Sequence, residues 1–194
     1  MKKKELTTNQ LIEAALELFA EHGIEKTTLV MIANKVGIAK PSIYYHFESK
    51  EALIDQIFED TFRNYRFEAY FQMNELTEQN FGEKLYEGGL KMLPEYDEIH
   101  IRVLNEFITI ALRNEKYLTQ IKKVEQEFTN GFQALLEKGI ELGWVSRQNL
   151  EAKASMLNMV IDGIQDKMLM EMPFQIGYEL VWKEAINSVL TRKF

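Results

Sequence analysis

The chain has 194 residues, of which 46% are hydrophobic and 27% are charged, and its net charge is −7. This composition is typical of a globular protein of one or two domains and excludes a disordered or fibrous chain. Because the sequence has no cysteine, disulfides, thiol catalysis and thiolate metal sites are excluded. No apolar run approaches about 18 residues, and the basic start MKKKELTTNQ continues into polar residues, so we expect a cytoplasmic protein without a membrane anchor.

The negative charge lies mainly outside the first quarter of the chain. Residues 1–50 hold seven Lys and six Glu, whereas residues 51–194 carry a net charge of −8. Nucleic acids are bound chiefly through contacts of Lys and Arg with phosphates. An anion-binding surface is therefore expected within residues 1–50.

Two helices are predicted at the start of the chain. Thr7 and Gln10 have the spacing of a capping box, and apolar residues at helical spacing follow until Gly23 ends the helix. The threonines at positions 27 and 28 can cap a second, short helix. Gly37 lies where a left-handed cap would end that helix.

A third short helix is expected at residues 39–46, with Pro41 in its first turn, where the missing N–H is harmless. Ser49 can cap a fourth helix, whose apolar stripe extends past residue 65. Five more helices are predicted at residues 80–93, 97–112, 115–142, 149–172 and 176–192. Pro94 ends the first of these five, Asp97 opens the second and Gly143 closes the third.

The nine predicted helices and the lack of strand-like alternation indicate an all-α fold. Two short helices separated by a glycine turn, with a helix before them, form a helix-turn-helix arrangement. We therefore predict a three-helix, helix-turn-helix domain at residues 1–50 and a separate six-helix bundle at residues 51–194.

The third helix carries the side chains suited to binding DNA, because the second helix of a helix-turn-helix enters the major groove. Ile43 and Phe47, four residues apart, can face the three-helix core. The side chains that then point elsewhere carry hydroxyl, imidazole or ammonium donors for phosphates and base edges, and they are Lys40, Ser42, Tyr44, Tyr45 and His46. Lys50, at the start of the fourth helix, is suited to a phosphate. Taken without this context, Tyr44, Tyr45 and His46 would be better explained as an aromatic packing cluster.

Residues 8–54 resemble the DNA-binding domain of the tetracycline-repressor (TetR) family of bacterial transcriptional regulators. The residues that carry the resemblance are Ile12-x-x-Ala15-x-x-Leu18-Phe19-x-x-x-Gly23, Thr27-Thr28-x-x-x-Ile32-Ala33, Val36-Gly37-Ile38 and Ser42-Ile43-Tyr44-Tyr45-His46-Phe47-x-Ser49-Lys50-Glu51-x-Leu53. This ordered match is far more specific than a helix-turn-helix pattern alone, and it covers about a quarter of the chain.

The resemblance implies a role for each matching position. Contacts with phosphates are implied for Thr28, Tyr44, His46 and Lys50, and an approach to bases is implied for Lys40, Pro41, Ser42 and Tyr45. Val30 departs from the polar or basic residue of many relatives, so base reading there is expected to be lost or reduced to a methyl contact. Ala39 replaces the commoner Ser or Thr cap, at a cost of about 1 kcal/mol. Lys2, Lys3 and Lys4 form either an arm on the DNA backbone or a solvated terminus.

The larger bundle is rich in aromatic and methionine side chains, which line apolar cavities but also fill cores. The resemblance implies a small-molecule site here. The candidate ligand-binding residues are Phe62, Phe67, Tyr70, Phe71, Met92, Phe107, Phe128 and Met168. Core packing is the alternative for each of them.

The last two helices are apolar enough to require a covering surface. In similar proteins such a pair forms a four-helix bundle across a two-fold axis, so we expect a homodimer. The candidate interface residues are Met156, Val160, Ile164, Trp182, Ile186 and Val189.

The resulting hypothesis is a DNA-binding regulator, in this family most often a repressor, that binds a palindromic operator as a homodimer and is released by a small apolar or amphipathic effector. The fourth helix is expected to transmit the effector signal, since it begins beside Lys50 and extends toward the aromatic residues. Neither a catalytic motif nor a metal-ligand spacing of the three histidines is present, so we expect no enzyme, cofactor or metal site. His100 and Glu106 are interpreted as two surface residues unrelated to each other, rather than as an acid-base couple. An apolar-ligand carrier with a vestigial helix-turn-helix is the competing interpretation.

Overall fold

The computed structural model describes residues 2–63, 65–93 and 98–194, with the backbone alone for residues 2–6. Within these residues the chain forms nine α-helices: α1 Lys2–His22, α2 Leu29–Val36, α3 Lys40–Ile43, α4 Lys50–Arg63, α5 Phe81–Lys91, α6 Glu98–Ala111, α7 Glu115–Glu141, α8 Leu150–Leu169 and α9 Tyr178–Val189. Two 3-10 turns lie between α4 and α5, and the only β pairing in the described residues is an isolated bridge between Val145 and Leu190. The prediction of an all-α fold is confirmed.

Several predicted helix ends are wrong. α4 ends at Arg63 instead of passing residue 65, because Phe67 and Phe71 are buried in a different part of the fold from α4. α1 begins at Lys2, so Thr7 lies inside the helix and does not cap it. α8 ends at Leu169, before Glu171 turns with a positive φ of 52°.

α9 is shorter than predicted at both ends, since it runs from Tyr178 to Val189. The helix ends at Val189 because Leu190 is extended and the N–H of Thr191 donates to the carbonyl of Trp144 at 2.8 Å instead of continuing the helix. The predicted end at Pro94 and start at Asp97 lie outside the described residues.

The chain divides into two compact units. Among the described residues, unit 1 comprises 2–63 and 98–118, and unit 2 comprises 65–93 and 119–194. The helix-turn-helix thus packs together with α4 and α6, and α1 lies against both α2 and α6. The two units are defined by packing alone. The predicted domains, a DNA-binding domain at residues 1–50 and a six-helix bundle at residues 51–194, stay a prediction.

Unit 1 is built on an apolar core that joins the first four helices to α6. Its fully buried side chains include Leu11, Phe19, Ile32, Ile43, Leu53, Phe58 and Phe107. Thr27 is also completely buried, and its hydroxyl donates to the carbonyls of Leu18 and Gly23 at 3.1 and 2.9 Å. The polar group is therefore satisfied, and it ties the start of α2 to the end of α1.

Unit 2 is built around aromatic side chains. Phe67 and Phe71 stack with ring centroids 4.7 Å apart, and both meet the edge of Phe132. Trp182 of α9 is fully buried, and its indole N–H donates to the carbonyl of Tyr86 at 3.1 Å. Across the described ranges, no helix has the length and apolarity needed to cross a membrane.

Candidate nucleic-acid interface

The turn between α2 and α3 is fixed by a glycine. Gly37 adopts a left-handed conformation with φ 77° and ψ 26°, and its N–H donates to the carbonyls of Ala33 and Asn34. The N–H of Ile38 also returns to the carbonyl of Ala33, at 3.0 Å. This left-handed cap, which the sequence predicts, sets the direction in which α3 leaves α2.

α3 is held to unit 1 by its apolar side. Ile43 is fully buried and Phe47 is 6% exposed, as the four-residue spacing predicts. The regular helix ends at Ile43, and residues 44–46 continue it as turns with N–H bonds back to the carbonyls of Ser42 and Ile43. Ala39 is the N-cap of α3 and makes no side-chain capping bond, and the cost in helix stability stays a prediction.

The opposite side of this segment faces water. Lys40, Pro41, Ser42, Tyr44 and Tyr45 are all exposed, and 73% of Tyr45 is accessible. The structure therefore brings five of the predicted DNA-contacting side chains together on one surface. Beside it, a depression of about 370 Å³ lies between Tyr44, Tyr45, His46, Phe47, Glu48, Ala52 and Gln56.

Two further candidates are held by contacts that the sequence does not reveal. Nδ1 of His46 lies 2.9 Å from the hydroxyl of Thr8 on α1. Nζ of Lys50 donates to the carbonyl of Glu25 at 2.9 Å. Both side chains therefore have a fixed position within unit 1, which reduces the entropy that an ordered contact with DNA would cost.

Thr28, the last candidate, caps α2. Its backbone is extended, with φ −119° and ψ 154°, and its hydroxyl accepts the N–H of Met31 at 3.2 Å. Because the side chain is exposed, the hydroxyl hydrogen is available to a phosphate oxygen. The N-terminus of α2 adds a partial positive charge at the same place.

Glu106 has a role that sequence reasoning missed. The carboxylate reaches from α6 to accept the N–H of Ile24 at 2.7 Å. Glu106 is thus tied to the start of the helix-turn-helix, and the absence of an acid-base couple between it and His100 stays a prediction. No local pattern reveals this bond, because 82 residues separate the two partners.

α4 is tied to the start of α7 by a polar group. The carboxylate of Asp55 accepts a hydrogen bond from the hydroxyl of Tyr117 and lies 2.7 Å from Nζ of Lys116. The bond from Lys116 holds the pKa of Asp55 below its usual value, and burial raises the pKa of Tyr117. The N-terminal part of α4 is therefore restrained both at Lys50 and at Asp55.

The candidate ligand-binding residues are divided between the two units. Phe62 and Phe107 belong to unit 1, where both rings pack on Phe58 with centroid distances of 4.6 and 5.3 Å. The other six lie in unit 2, and they are Phe67, Tyr70, Phe71, Met92, Phe128 and Met168. Core packing accounts for most of these contacts, and the role of the eight in binding a ligand stays a prediction.

A polar cluster joins α7 and α8 within unit 2. Asn158 is 1% exposed, and its amide donates to Glu125 at 2.6 Å and to Asp162 at 3.2 Å. Its carbonyl oxygen is buried and has no hydrogen-bond partner. Burial, together with the charges of Glu125 and Asp166, raises the pKa of Asp162 to about 7.

The candidate dimer-interface residues differ in exposure. Ile164, Trp182, Ile186 and Val189 are buried in the core of their own chain, whereas Met156 is 36% exposed and Val160 is half-buried. The same two helices also expose Met159 and Leu180, at 71% and 49%. Among the described residues, no group of three or more His, Cys, Asp or Glu could hold a metal ion.

Two family descriptions match consecutive parts of the chain. Residues 11–57 match bacterial regulatory proteins of the tetR family, and residues 63–191 match the C-terminal region of QacR-like proteins. The second match alone covers more than half of the sequence.

Among curated proteins, the chain is 29% identical to the HTH-type transcriptional repressor KstR2 of Rhodococcus jostii over 139 residues, which cover 69% of this chain and 65% of that protein. It is 43% identical to the probable acrEF/envCD operon repressor of Escherichia coli over 51 residues, 26% of this chain and 23% of that protein. The chain thus spans less than two thirds of the length of these relatives.

Solved structures share the fold over nearly the whole chain. A TetR transcription regulator from Haloarcula marismortui superposes with a TM-score of 0.72 at 17% identity, covering 98% of this chain and all of that one. SmeT, the repressor of the Stenotrophomonas maltophilia multidrug efflux pump SmeDEF, gives a TM-score of 0.66 at 16% identity, covering 95% of this chain and 90% of that one. At these identities the likeness shows the fold alone.

Proposed function

Since this chain belongs to the TetR family of bacterial transcriptional regulators, we propose that it represses transcription in the cytoplasm by binding a palindromic operator as a homodimer. A small apolar or amphipathic effector would release it from the DNA. The observation that carries the proposal is the exposed face of residues 40–45, which is attached to the core by the buried Ile43.

The exposed face suits the major groove because its groups differ in what they can recognise. The ammonium of Lys40 and the hydroxyls of Ser42 and Tyr45 donate to base acceptors, and the ring of Pro41 offers an apolar contact to a thymine methyl. Val30 is half-buried on α2 and adds at most an apolar contact. Sequence reading is therefore assigned to Lys40, Pro41, Ser42 and Tyr45.

Phosphate contacts would fix this face in register. Thr28, Tyr44, His46 and Lys50 surround residues 40–43 along the chain, and each carries a donor. An ammonium has three hydrogens, so Lys50 can keep its bond to Glu25 and still donate to a phosphate.

A homodimer would supply two recognition helices for two half-sites, spaced by about one turn of DNA, roughly 34 to 36 Å, or a multiple of it. Support comes from the apolar side chains that α8 and α9 leave accessible, chiefly Met156, Met159 and Leu180. Sedimentation of the chain at micromolar concentration tests this step, and a monomer under those conditions would contradict it.

Release by an effector requires a difference in its affinity for the DNA-bound and free conformations. A coupling free energy of about 1 to 3 kcal/mol changes operator affinity roughly 5- to 150-fold. The proposed ligand site lies among the aromatic and methionine side chains predicted from the sequence. An effector that binds tightly without altering operator affinity would count against this step.

The experiment that tests DNA binding uses labelled duplex from the region upstream of the protein's own gene. The wild-type chain is titrated at several salt concentrations beside the Tyr45→Ala variant, because Tyr45 is mostly exposed and its removal leaves the core intact. We expect salt-sensitive wild-type binding and a loss of about 1 to 3 kcal/mol in the variant.

Two comparisons complete the experiment. His46→Ala combined with Tyr45→Ala should abolish binding, but it also removes the contact with Thr8, so the single Tyr45 variant gives the cleaner result. Glu59→Ala, an exposed change on α4, serves as the control with unchanged binding. Salt-insensitive or absent binding by the wild type would favour the apolar-ligand carrier.

A further inference from the structure

The turn between α1 and α2, residues 23–27, leads directly into the N-cap Thr28. Gly23 has a φ of 80°, and its N–H donates to the carbonyl of Phe19 at 2.9 Å. The buried hydroxyl of Thr27 folds the turn back on the end of α1. The position of this turn therefore determines where α2 begins.

Side chains from two other helices hold the same turn. Glu106 of α6 accepts the N–H of Ile24, and Lys50 of α4 donates to the carbonyl of Glu25. These are adjacent residues, so two neighbouring positions of the turn are held, one by a carboxylate and the other by an ammonium. Both bonds involve an ionised side chain, which makes them stronger than bonds between neutral groups.

The bond from Glu106 is made at a buried residue of the turn. Ile24 is 2% exposed, so its backbone has little access to water. A Cβ added at Gly23 would lie 3.2 Å from the same carboxylate oxygen, which shows how closely α6 approaches the turn. A displacement of α6 therefore has to move the turn or break this bond.

We propose that Glu106 is a positioning residue for DNA binding, through which α6 sets the start of α2 and the phosphate-contacting Thr28. The proposal rests on the proposed function, since it concerns the orientation of the same DNA-binding face. Without the bond, the turn populates positions in which Thr28 is displaced, and the apparent affinity falls with the fraction of competent molecules.

The test measures binding of the upstream duplex by Glu106→Ala, Glu106→Gln and the charge control Glu59→Ala. We expect Glu106→Ala to bind about tenfold more weakly than the wild type, although it removes a negative charge. Glu106→Gln keeps an acceptor for the N–H of Ile24 and should recover most of the affinity. The control, which also removes one exposed carboxylate, should stay within about twofold.

Two readouts separate positioning from a loss of fold. Amide hydrogen exchange at Ile24 should accelerate in Glu106→Ala, while the buried amides around Ile32 keep their protection. In a Thr28→Ala background, the Glu106→Ala change should cost less than about twofold, because the contact through which it acts is already lost.

The remaining outcomes contradict either the positioning role of Glu106 or the proposed function. If Ile24 exchanges faster while operator affinity is unchanged, or if the tenfold loss persists in the Thr28→Ala background, the positioning role is overturned. If Glu106→Ala does not fold, Glu106→Asp replaces it. The shorter side chain keeps the charge but moves the acceptor away from the N–H of Ile24. Wild-type operator affinity in Glu106→Asp would overturn the proposal. Failure of the wild type to bind the duplex refutes the proposed function itself.

Discussion

The carboxylate of Asp162 makes stability depend on pH. Its pKa is raised from 3.8 to about 7, first by burial and then by the charges of Glu125 and Asp166. In the unfolded chain it returns to its ordinary value, so between about pH 4 and pH 7 the folded state binds a proton that the unfolded state does not. Stability from this group is therefore fully present at low pH and is lost as the pH rises through 7.

The magnitude follows from the shift. A difference of about three pH units corresponds to an upper limit of about 4 kcal/mol, at 1.36 kcal/mol per unit. Asp162 is only half-buried, and solvent screening reduces the effect, so we expect about 1 to 2 kcal/mol. Asp162→Asn removes the ionised form and should raise the free energy of unfolding by this amount at pH 8.

The assay is urea unfolding at pH 5, 6, 7 and 8, at one protein concentration because a dimer's stability depends on it. The advantage of Asp162→Asn should be largest at pH 8 and should shrink as the pH falls toward 4. Asp166→Asn, an exposed change, should lower the pKa of Asp162 and move the transition to lower pH. An advantage that is the same at every pH, or a variant less stable at pH 8, would refute the reasoning.

Further predictions concern the helix-turn-helix. Ile43→Ala should lower the free energy of unfolding by about 2 to 5 kcal/mol, measured by urea unfolding, because the side chain is completely buried. If its effect is instead below that of Tyr45→Ala, the assignment of the two faces of α3 is reversed. Lys50→Met should weaken operator binding and lower the salt slope by about one, as measured by titration at several salt concentrations. An unchanged slope would mean that Lys50 only holds the carbonyl of Glu25.

Local sequence signals predict the helix-turn-helix well. The left-handed Gly37 and the cap at Thr28 follow from interactions within a few residues of chain, and the spacing of Ile43 and Phe47 shows which side of α3 is buried. Such interactions depend on backbone geometry and on helical spacing, which the sequence displays directly. The surface formed by residues 40–45 could therefore be predicted before any coordinates.

Signals that depend on distant residues could not be predicted. In the sequence the apolar stripe of α4 continues past residue 65, yet α4 ends at Arg63, and Phe67 and Phe71 are buried in the core of unit 2. Likewise, the apolar stripe on α9 indicates that one face of the helix is covered, but it does not show whether the chain's own core or a partner covers it. Trp182 is buried in the core of its own chain, so its side chain is covered without a partner.

Contacts between residues distant in sequence are also the reason why the proposed role of Glu106 in DNA binding could not be predicted from the sequence. The recognition face is local, but the turn before α2 is held by Glu106 and Lys50, which come from α6 and α4. A signal that moves either helix reaches Thr28 through a backbone N–H or a carbonyl, without any change in the residues of α3. If Glu106 acts as proposed, the predicted DNA-contacting residues and the residues that hold the turn can change independently. Substitutions at Glu106 should then alter the fraction of the protein that is competent to bind without altering which bases it selects.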